Sequence, residues 1–189
     1  MKVLIIGGGG REHALAWKIS ESRSVESIFC IPGNGGISEI ADCVSIDVQD
    51  LDRLVKFTKQ EHIDLVVVGP ENPLAVGIVD HFEKEGIPIF GPRKSCAQIE
   101  ASKIFAKNLM DKYNIPTASF KIFHNYQNAY DYVNEIGAPY VIKADGLAAG
   151  KGAYVIKNND EGKAILKNVM IDKIHGEAGE RIIIEQFLP

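Results

Sequence analysis

No stretch of these 189 residues is apolar for long enough to cross a membrane, and the opening MKVLIIGGGG breaks into glycine where a signal sequence needs a continuous apolar core. A cytoplasmic location is expected. Cysteine is scarce: Cys30, Cys43 and Cys96 are odd in number, far apart, and lack the paired spacing of a zinc site or redox motif. They are expected to be unbridged thiols of a reducing compartment, packed in the core as cysteine usually is. The five histidines, His13, His62, His81, His124 and His175, have neither metal-ligand spacing nor a nucleophile partner, so none takes a catalytic role. Positive charge is not in excess either. A formal net charge of -4 and a pI near 5.7 offer no bulk attraction to nucleic acid or an anionic membrane, so any phosphate must be held by local groups and the partner should be small. No internal repeat, low-complexity tract or long charge block is found.

With 46% apolar and 24% charged residues, the chain has the balance of a globular protein of one large or two small domains. Its first hundred residues alternate β-branched apolar runs (KVLIIG, SIFCIP, CVSID, DLVVVGP, IPIFGP) with helix-period segments. Continuous apolar runs imply strands covered on both faces, which predicts an α/β fold with a parallel sheet. Leu51 to Phe57, and Leu74 through Ile78 to Phe82, repeat at helical spacing and should cover that sheet. From Ala101 a further helix should bury Ile104, Phe105 and Leu109 on one side. Asn114 to Thr117 then break the pattern, placing a boundary near residue 118 and two domains, 1–118 and 119–189. The second begins with a strand in ASFKIF and a helix carrying Tyr126, Ala129, Tyr130 and Val133, and it closes on RIIIEQFLP, as a small α+β unit. Ending at Pro189 directly after an apolar strand, the chain reads as cut.

Two glycine clusters carry the chemistry. In KVLIIGGGGREHALAWKI, four glycines stand where a strand meets a helix, and glycine lets backbone N–H groups approach a phosphate or sugar closely. The dinucleotide fingerprint fails there: counted from Gly7 its third glycine falls on Glu12, and counted from Gly8 on His13. The ribose-binding acid of such a site is also missing, since the second strand ends in Pro32, Gly33 and Asn34. A turn needed only for strand–helix packing is the plainer explanation, although four glycines exceed that need. PGNGG (32–36) and GPENPLA (69–75) also follow strands and belong at the same carboxyl edge, where open α/β sheets bind ligands. Glu71 could meet an amine or sugar hydroxyls there, or simply favour a helix start.

VIKADGLAAGKGAYVIK sets Lys143 in a strand, then a loop with Gly146, Gly150, Lys151 and Gly152, then a second strand, which predicts a hairpin with a glycine lid. It is not a Walker A loop, because Gly146 and Gly150 enclose three residues rather than four and a strand follows. A lysine in an apolar strand calls for an anionic partner, phosphate or carboxylate, unless it snorkels from a sheet edge. Lys103 alone would read as an ordinary exposed helical lysine, and Glu185 as an ordinary strand end.

In combination, GGGGREHALA, PGNGG, GPENPLAVGIVD, FGP, EASKIFAK, IPTA and YVIKADGLAAGKG follow the order found in the glycinamide ribonucleotide synthetases of the ATP-grasp superfamily, which the chain resembles over its whole length. The resemblance implies a Rossmann-like pre-ATP-grasp domain followed by a small ATP-grasp lid, with the C-terminal part of the enzyme absent. It implies ATP contacts at Lys103, Lys143, Gly146, Gly150, Lys151, Gly152, Glu185 and the backbone of Leu188. It also implies a phosphoribosylamine wall at Gly9, Gly10, Arg11, Glu12, Asn34 and Glu71, with no catalytic side chain assigned. The implied reaction is ATP-dependent joining of glycine to phosphoribosylamine through an acyl phosphate. Magnesium or manganese would then be held by ligands beyond Pro189, and the 189 residues alone would be inactive. Two rivals remain at this stage, a dinucleotide-dependent oxidoreductase and a non-catalytic nucleotide-binding module.

Overall fold

The structure, a computed structural model, describes residues 1–148 and 150–189. It divides into two compact units, Met1–Ala97 and Gln98–Pro189. In the first, strand β1 (Lys2–Gly7) leads into helix α1 (Gly10–Ser20), followed by β2 (Ser27–Pro32), β3 (Asp42–Cys43), α2 (Leu51–Gln60), β4 (Leu65–Val68), α3 (Glu71–Val76), α4 (Ile78–Lys84) and β5 (Ile89–Phe90). The strands form a parallel sheet in the order β3-β2-β1-β4-β5. Leu4, Ile6, Val66 and Val68 pack against α2 and α4 on one face, while Val3, Ile5, Cys30 and Val67 pack against α1 on the other. This double burial is why the strands read as unbroken apolar runs.

Two elements differ from expectation. The run from Leu74 to Phe82 is not one helix, because Gly77 takes a left-handed φ of 102° and its N–H closes on the carbonyls of Pro73 and Leu74, ending α3 before α4 begins. CVSID contributes only the short β3, after which Val44 still bonds Cys30 but the chain leaves the sheet edge.

Helix α5 (Lys94–Ala101) runs across the division of the chain. The second unit then contains α6 (Lys103–Lys112), β6 (Phe120–Phe123), α7 (Tyr126–Ile136), β7 (Tyr140–Ala144), β8 (Ala153–Ile156), α8 (Asn159–Leu166) and β9 (Ile182–Gln186). Its antiparallel sheet has the order β6-β9-β7-β8. β7 and β8 form the hairpin expected around the second glycine cluster, with Lys143 opposite Ala153. The sequence placed the boundary near residue 118, whereas the division by contact falls at Ala97/Gln98. Helix α6, counted with the first domain from its sequence, packs on β9 of the second.

Alternation along β7 buries Tyr140, Ile142 and Ala144 against α7 and α8 and leaves Val141 and Lys143 on the opposite face. Register puts Ile183 and Glu185 of β9 on that same opposite face, which α6 covers. The buried residues of α6 are Ile104 and Lys107, three apart. Phe105, expected in the core, points away from that stripe and is 40% exposed.

Candidate functional site

Each unit carries one candidate site. In the first, the chain leaves β1, β2 and β4 at the same edge, so Gly8–Gly10, Gly33–Asn34 and Gly69–Glu71 gather there as the sequence predicts. One backbone bond and one side-chain bond stitch the loops together. Gly33 N–H donates to the Gly7 carbonyl at 3.2 Å, and Asn34 Nδ2 donates to the Gly8 carbonyl at 2.9 Å. A Cβ on Gly8 would overlap the Gly33 carbonyl oxygen, so glycine here is required by the close approach of the two turns.

Glu12 is only 5% exposed, and its Oε2 accepts the Gly9 N–H at 2.6 Å, capping α1 from its third position. Its carboxylate also fills the space beside Gly7 and Gly69. Asn34 is likewise engaged, its Oδ1 accepting from Gly36 and Ile37 at 2.9 Å each. Both side chains hold the loops in place. The open groups are Arg11 and Glu71: Arg11 Nη1 donates to the Gly69 carbonyl at 2.7 Å and lies 3.6 Å from Glu71 Oε2. That ion pair is largely exposed and worth under about 1 kcal/mol, so a ligand phosphate could take the guanidinium at little cost. Beside it, the first-turn N–H groups of Gly10 and Arg11 are ones a helix leaves without internal partners.

In the second unit, Lys103 opens α6 and its Nζ donates to the Gly146 carbonyl at 2.8 Å, at the base of the glycine loop. Burial pushes the Lys103 ammonium below the usual lysine value and the charge of Lys143 adds to this, against the pull of Asp145, Glu100 and Glu185. Lys143 is not in free solution either, its Nζ meeting Glu185 Oε2 at 2.6 Å. Glu185 is 5% exposed. Its second oxygen lies 3.3 Å from Lys107 Nζ but makes no hydrogen bond among the described residues, leaving a buried acceptor unsatisfied. A cleft of about 400 Å³, lined by Phe120, Tyr140, Glu185 and Gln186 among others, opens at the opposite end of β7 from the glycine loop, and neither Lys103 nor Lys143 lines it. Leu188, beyond β9, is 60% exposed.

Of the loop 146–152, Ala149 lies outside the described residues. Gly146 and Gly150 take left-handed φ values of 126° and 77°, Lys151 is exposed, and the carbonyl of buried Gly152 accepts from Ala144 at 2.8 Å to close the hairpin.

Three residues of this site were missed from sequence. Asp145 is buried, its Oδ1 accepting from Ser102 Oγ at 2.9 Å and Ile104 N–H at 3.1 Å, while Oδ2 meets Arg181 at 2.6 Å. Its place inside KADG, two residues after Lys143, was the available signal. Lys107 follows Lys103 by one helical turn, and that i, i+4 spacing could have marked it. The third, Arg181, stands just before β9 with nothing local to single it out.

No group of three or more His, Cys, Asp or Glu side chains among the described residues could hold a metal ion, and no described helix is long and apolar enough to cross a membrane. Of the three cysteines, Cys30 is buried as expected, but Cys43 and Cys96 are exposed, because each lies on a short or surface element rather than an inner strand.

Residues 1–100 match the family model described as phosphoribosylglycinamide synthetase, N domain, and residues 101–189 match the one described as phosphoribosylglycinamide synthetase, ATP-grasp (A) domain. Among curated proteins, the phosphoribosylamine--glycine ligases of Caldanaerobacter subterraneus and Neisseria meningitidis serogroup B are 50% and 52% identical over 188 residues. The matches cover 100% of this chain and 45% and 44% of those proteins. Among solved structures, the phosphoribosylamine--glycine ligase of Thermotoga maritima aligns with a TM-score of 0.79 at 28% identity, covering 100% of this chain and 44% of that one. A biotin carboxylase domain from Hydrogenobacter thermophilus shares the fold, with a TM-score of 0.78 at 18% identity over 99% of this chain and 44% of that one. The chain therefore spans less than half the length of the curated relatives it matches.

Proposed function

Since the chain belongs to the phosphoribosylglycinamide synthetase family, we propose that it supplies the sugar-phosphate wall and the ATP lid of a cytoplasmic ATP-dependent carbon–nitrogen ligase. The reaction in this reading is the purine-biosynthetic joining of glycine to 5-phosphoribosylamine. ATP phosphorylates the glycine carboxylate, and the amine of phosphoribosylamine then displaces phosphate to form the amide. Catalysis of this kind rests on positioning and on neutralising phosphate charge rather than on a protein nucleophile.

The observation that carries the proposal is that Lys103 Nζ reaches the Gly146 carbonyl at the base of the glycine loop, while Lys143, on the strand that leads into that loop, meets the buried Glu185. The two ammonium groups are the phosphate contacts, with the loop from Gly146 through Gly150, Lys151 and Gly152 closing over them. Glu185 Oε1, buried with an acceptor to spare, is suited to the adenine amino group, and the Leu188 backbone to the ring edge. In the other unit, the phosphate of the amine substrate lies at Gly9, Gly10 and Arg11, with Glu71 beside its ammonium or hydroxyl groups. Glu12 and Asn34 hold the loops that receive it. Among the described residues, no group of three or more His, Cys, Asp or Glu side chains offers a donor set for the divalent metal such a reaction uses.

Titration calorimetry with a non-hydrolysable ATP analogue tests this reading. Lys103→Met and Lys143→Met should each weaken binding about tenfold or more, the scale of one lost charge-assisted contact. NADH should give no heat, and ADP release from ATP, glycine, phosphoribosylamine and Mg²⁺ by the 189 residues alone should stay at background. Unchanged analogue binding in both lysine variants would overturn the site, and saturable NADH binding would restore the oxidoreductase alternative.

A further inference from the structure

Cys30 and Cys43 are thirteen residues apart on different strands, yet they are register partners across the β2–β3 pair. Neighbouring strands lie about 4.8 Å apart, and partners in register project to the same face. That separation falls within the roughly 4.4–6.8 Å between Cα atoms that a disulfide spans. Both side chains converge on one point: a Cβ built on Gly33 would overlap Cys43 Sγ and stand 3.3 Å from Cys30 Cβ. Burial pushes the Cys30 thiol up to about 12, and the next largest cause is the charge of Cys43, as expected of sulfurs in mutual reach.

We propose that Cys43 and Cys30 form an oxidisable thiol pair at the edge of the first sheet, Cys43 meeting the oxidant and Cys30 closing the disulfide. The division of labour follows from exposure: Cys43 is exposed on a two-residue edge strand, whereas Cys30 is completely buried on the inner neighbour. With a peroxide as oxidant, the Cys43 thiol takes one oxygen to become a sulfenic acid and releases one water. The Cys30 thiolate then attacks the Cys43 sulfur and expels hydroxide, which leaves as a second water with the proton Cys30 gave up. Two thiols lose two electrons and two hydrogens, and the peroxide is reduced to two waters. Because Cys30 is held as the neutral thiol, closure should quicken about tenfold per pH unit through the neutral and mildly alkaline range.

The bond would act on the glycine turns. In the reduced state Cys43 Sγ donates to the Asn34 carbonyl at 3.7 Å, and the Gly33–Asn34 loop is bonded to Gly7 and Gly8. Turning Cys43 toward Cys30 removes that contact and shifts sulfur against Gly33, which has no room to spare. The pair stands on geometry alone and does not depend on which ligand the turns receive.

The test is hydrogen peroxide treatment of the 189-residue chain, followed by thiol counting, intact mass and a non-reducing peptide map. Two of the three thiols should disappear, the mass should fall by two hydrogens, and a peptide should link Cys30 to Cys43, all reversed by dithiothreitol. Cys96→Ser should behave like the parent, and Cys43→Ser should give no link. In Cys30→Ser, dimedone should trap a sulfenic acid at Cys43. Should Cys43→Ser fail to fold, brief alkylation of Cys43 in the parent protein serves instead and should block the link. Sulfinic acid at Cys43 with Cys30 still free, or a covalent dimer through Cys43 or Cys96, would overturn the proposal.

Discussion

Asp145 Oδ1 accepts the backbone N–H of Ile104 at 3.1 Å, so a carboxylate at the base of the glycine loop caps a helix that begins some forty residues earlier in the chain. Ser102, the N-cap of α6, donates its hydroxyl to the same oxygen at 2.9 Å while accepting from Phe105 N–H at 3.1 Å. Lys103 lies between these anchors, so the contact that starts α6 also fixes one of the two proposed phosphate lysines. Asp145→Ala should lower unfolding free energy by about 2–3 kcal/mol, the scale of leaving buried donors without an acceptor. Asp145→Asn keeps an acceptor and should lose about half as much. Urea midpoints measure both, and equal losses would show that charge rather than the cap is what matters.

Glu185 provides a second prediction. Its buried carboxylate stands between Lys143 at 2.6 Å and Lys107 at 3.3 Å, and the Lys107 side chain is itself only 10% exposed, with further bonds to Thr117 Oγ1 at 2.6 Å and the Ala118 carbonyl at 3.2 Å. Glu185→Gln leaves a buried ammonium without its counter-charge and should cost about 3–5 kcal/mol. Adding Lys107→Met should recover part of that loss, giving a coupling energy of about 1–3 kcal/mol in a double-mutant cycle. Strict additivity would mean that the two charges do not depend on each other.

These two networks explain what the sequence could and could not convey. The parallel sheet was legible because strands buried on both faces carry unbroken apolar runs. The β7–β8 hairpin was legible because glycine punctuates it, and the gathering of Gly8, Gly33 and Gly69 followed from strand direction alone. The partners of Asp145, Lys107 and the thiol pair were not legible, since tertiary packing places each of them. Phe105 was misplaced for a related reason. Apolar character beside Ile104 predicts a core position, but sheet packing selects the stripe of Ile104 and Lys107, burying a lysine that reaches Glu185. Gly77 shows the limit of periodicity, because apolar spacing continues through a left-handed residue that ends the helix.

Lys103 gives a prediction in pH. With burial as the leading cause, its ammonium loses the proton more readily in the folded protein than in the unfolded chain. Between the folded value and the unfolded value near 10.4, the unfolded chain therefore binds more protons, and the Lys103 contribution to stability rises with pH across that window. Cys30 and Tyr140, both pushed up to about 12 by burial, act in the opposite sense as pH rises. They cancel when the parent is compared with Lys103→Met. The variant should be the more stable of the two at neutral pH, and the gap should narrow as pH climbs through the alkaline window. A gap that widens instead would mean that the ammonium is stabilised in the fold.

The glycine turns differ in what they demand, and Gly8 and Gly10 make the contrast measurable. A Cβ on Gly8 would overlap the carbonyl oxygen of Gly33, a backbone atom fixed by the Gly33 to Gly7 bond, so relief requires the β1 and β2 turns to part. Gly8→Ala should therefore cost about 1–3 kcal/mol, as overpacking does elsewhere. Gly10 opens α1, and a Cβ there meets nothing within 4 Å. Gly10→Ala should be neutral or stabilising by up to about 1 kcal/mol, through helix propensity and a less flexible unfolded chain. Thermal unfolding of the two variants decides the matter. If the turn serves packing only, Gly10→Ala should leave phosphosugar binding untouched. If the α1 amino end receives the phosphate, the added methyl should weaken that binding while stability holds or rises, a split that a structural role for Gly10 cannot produce.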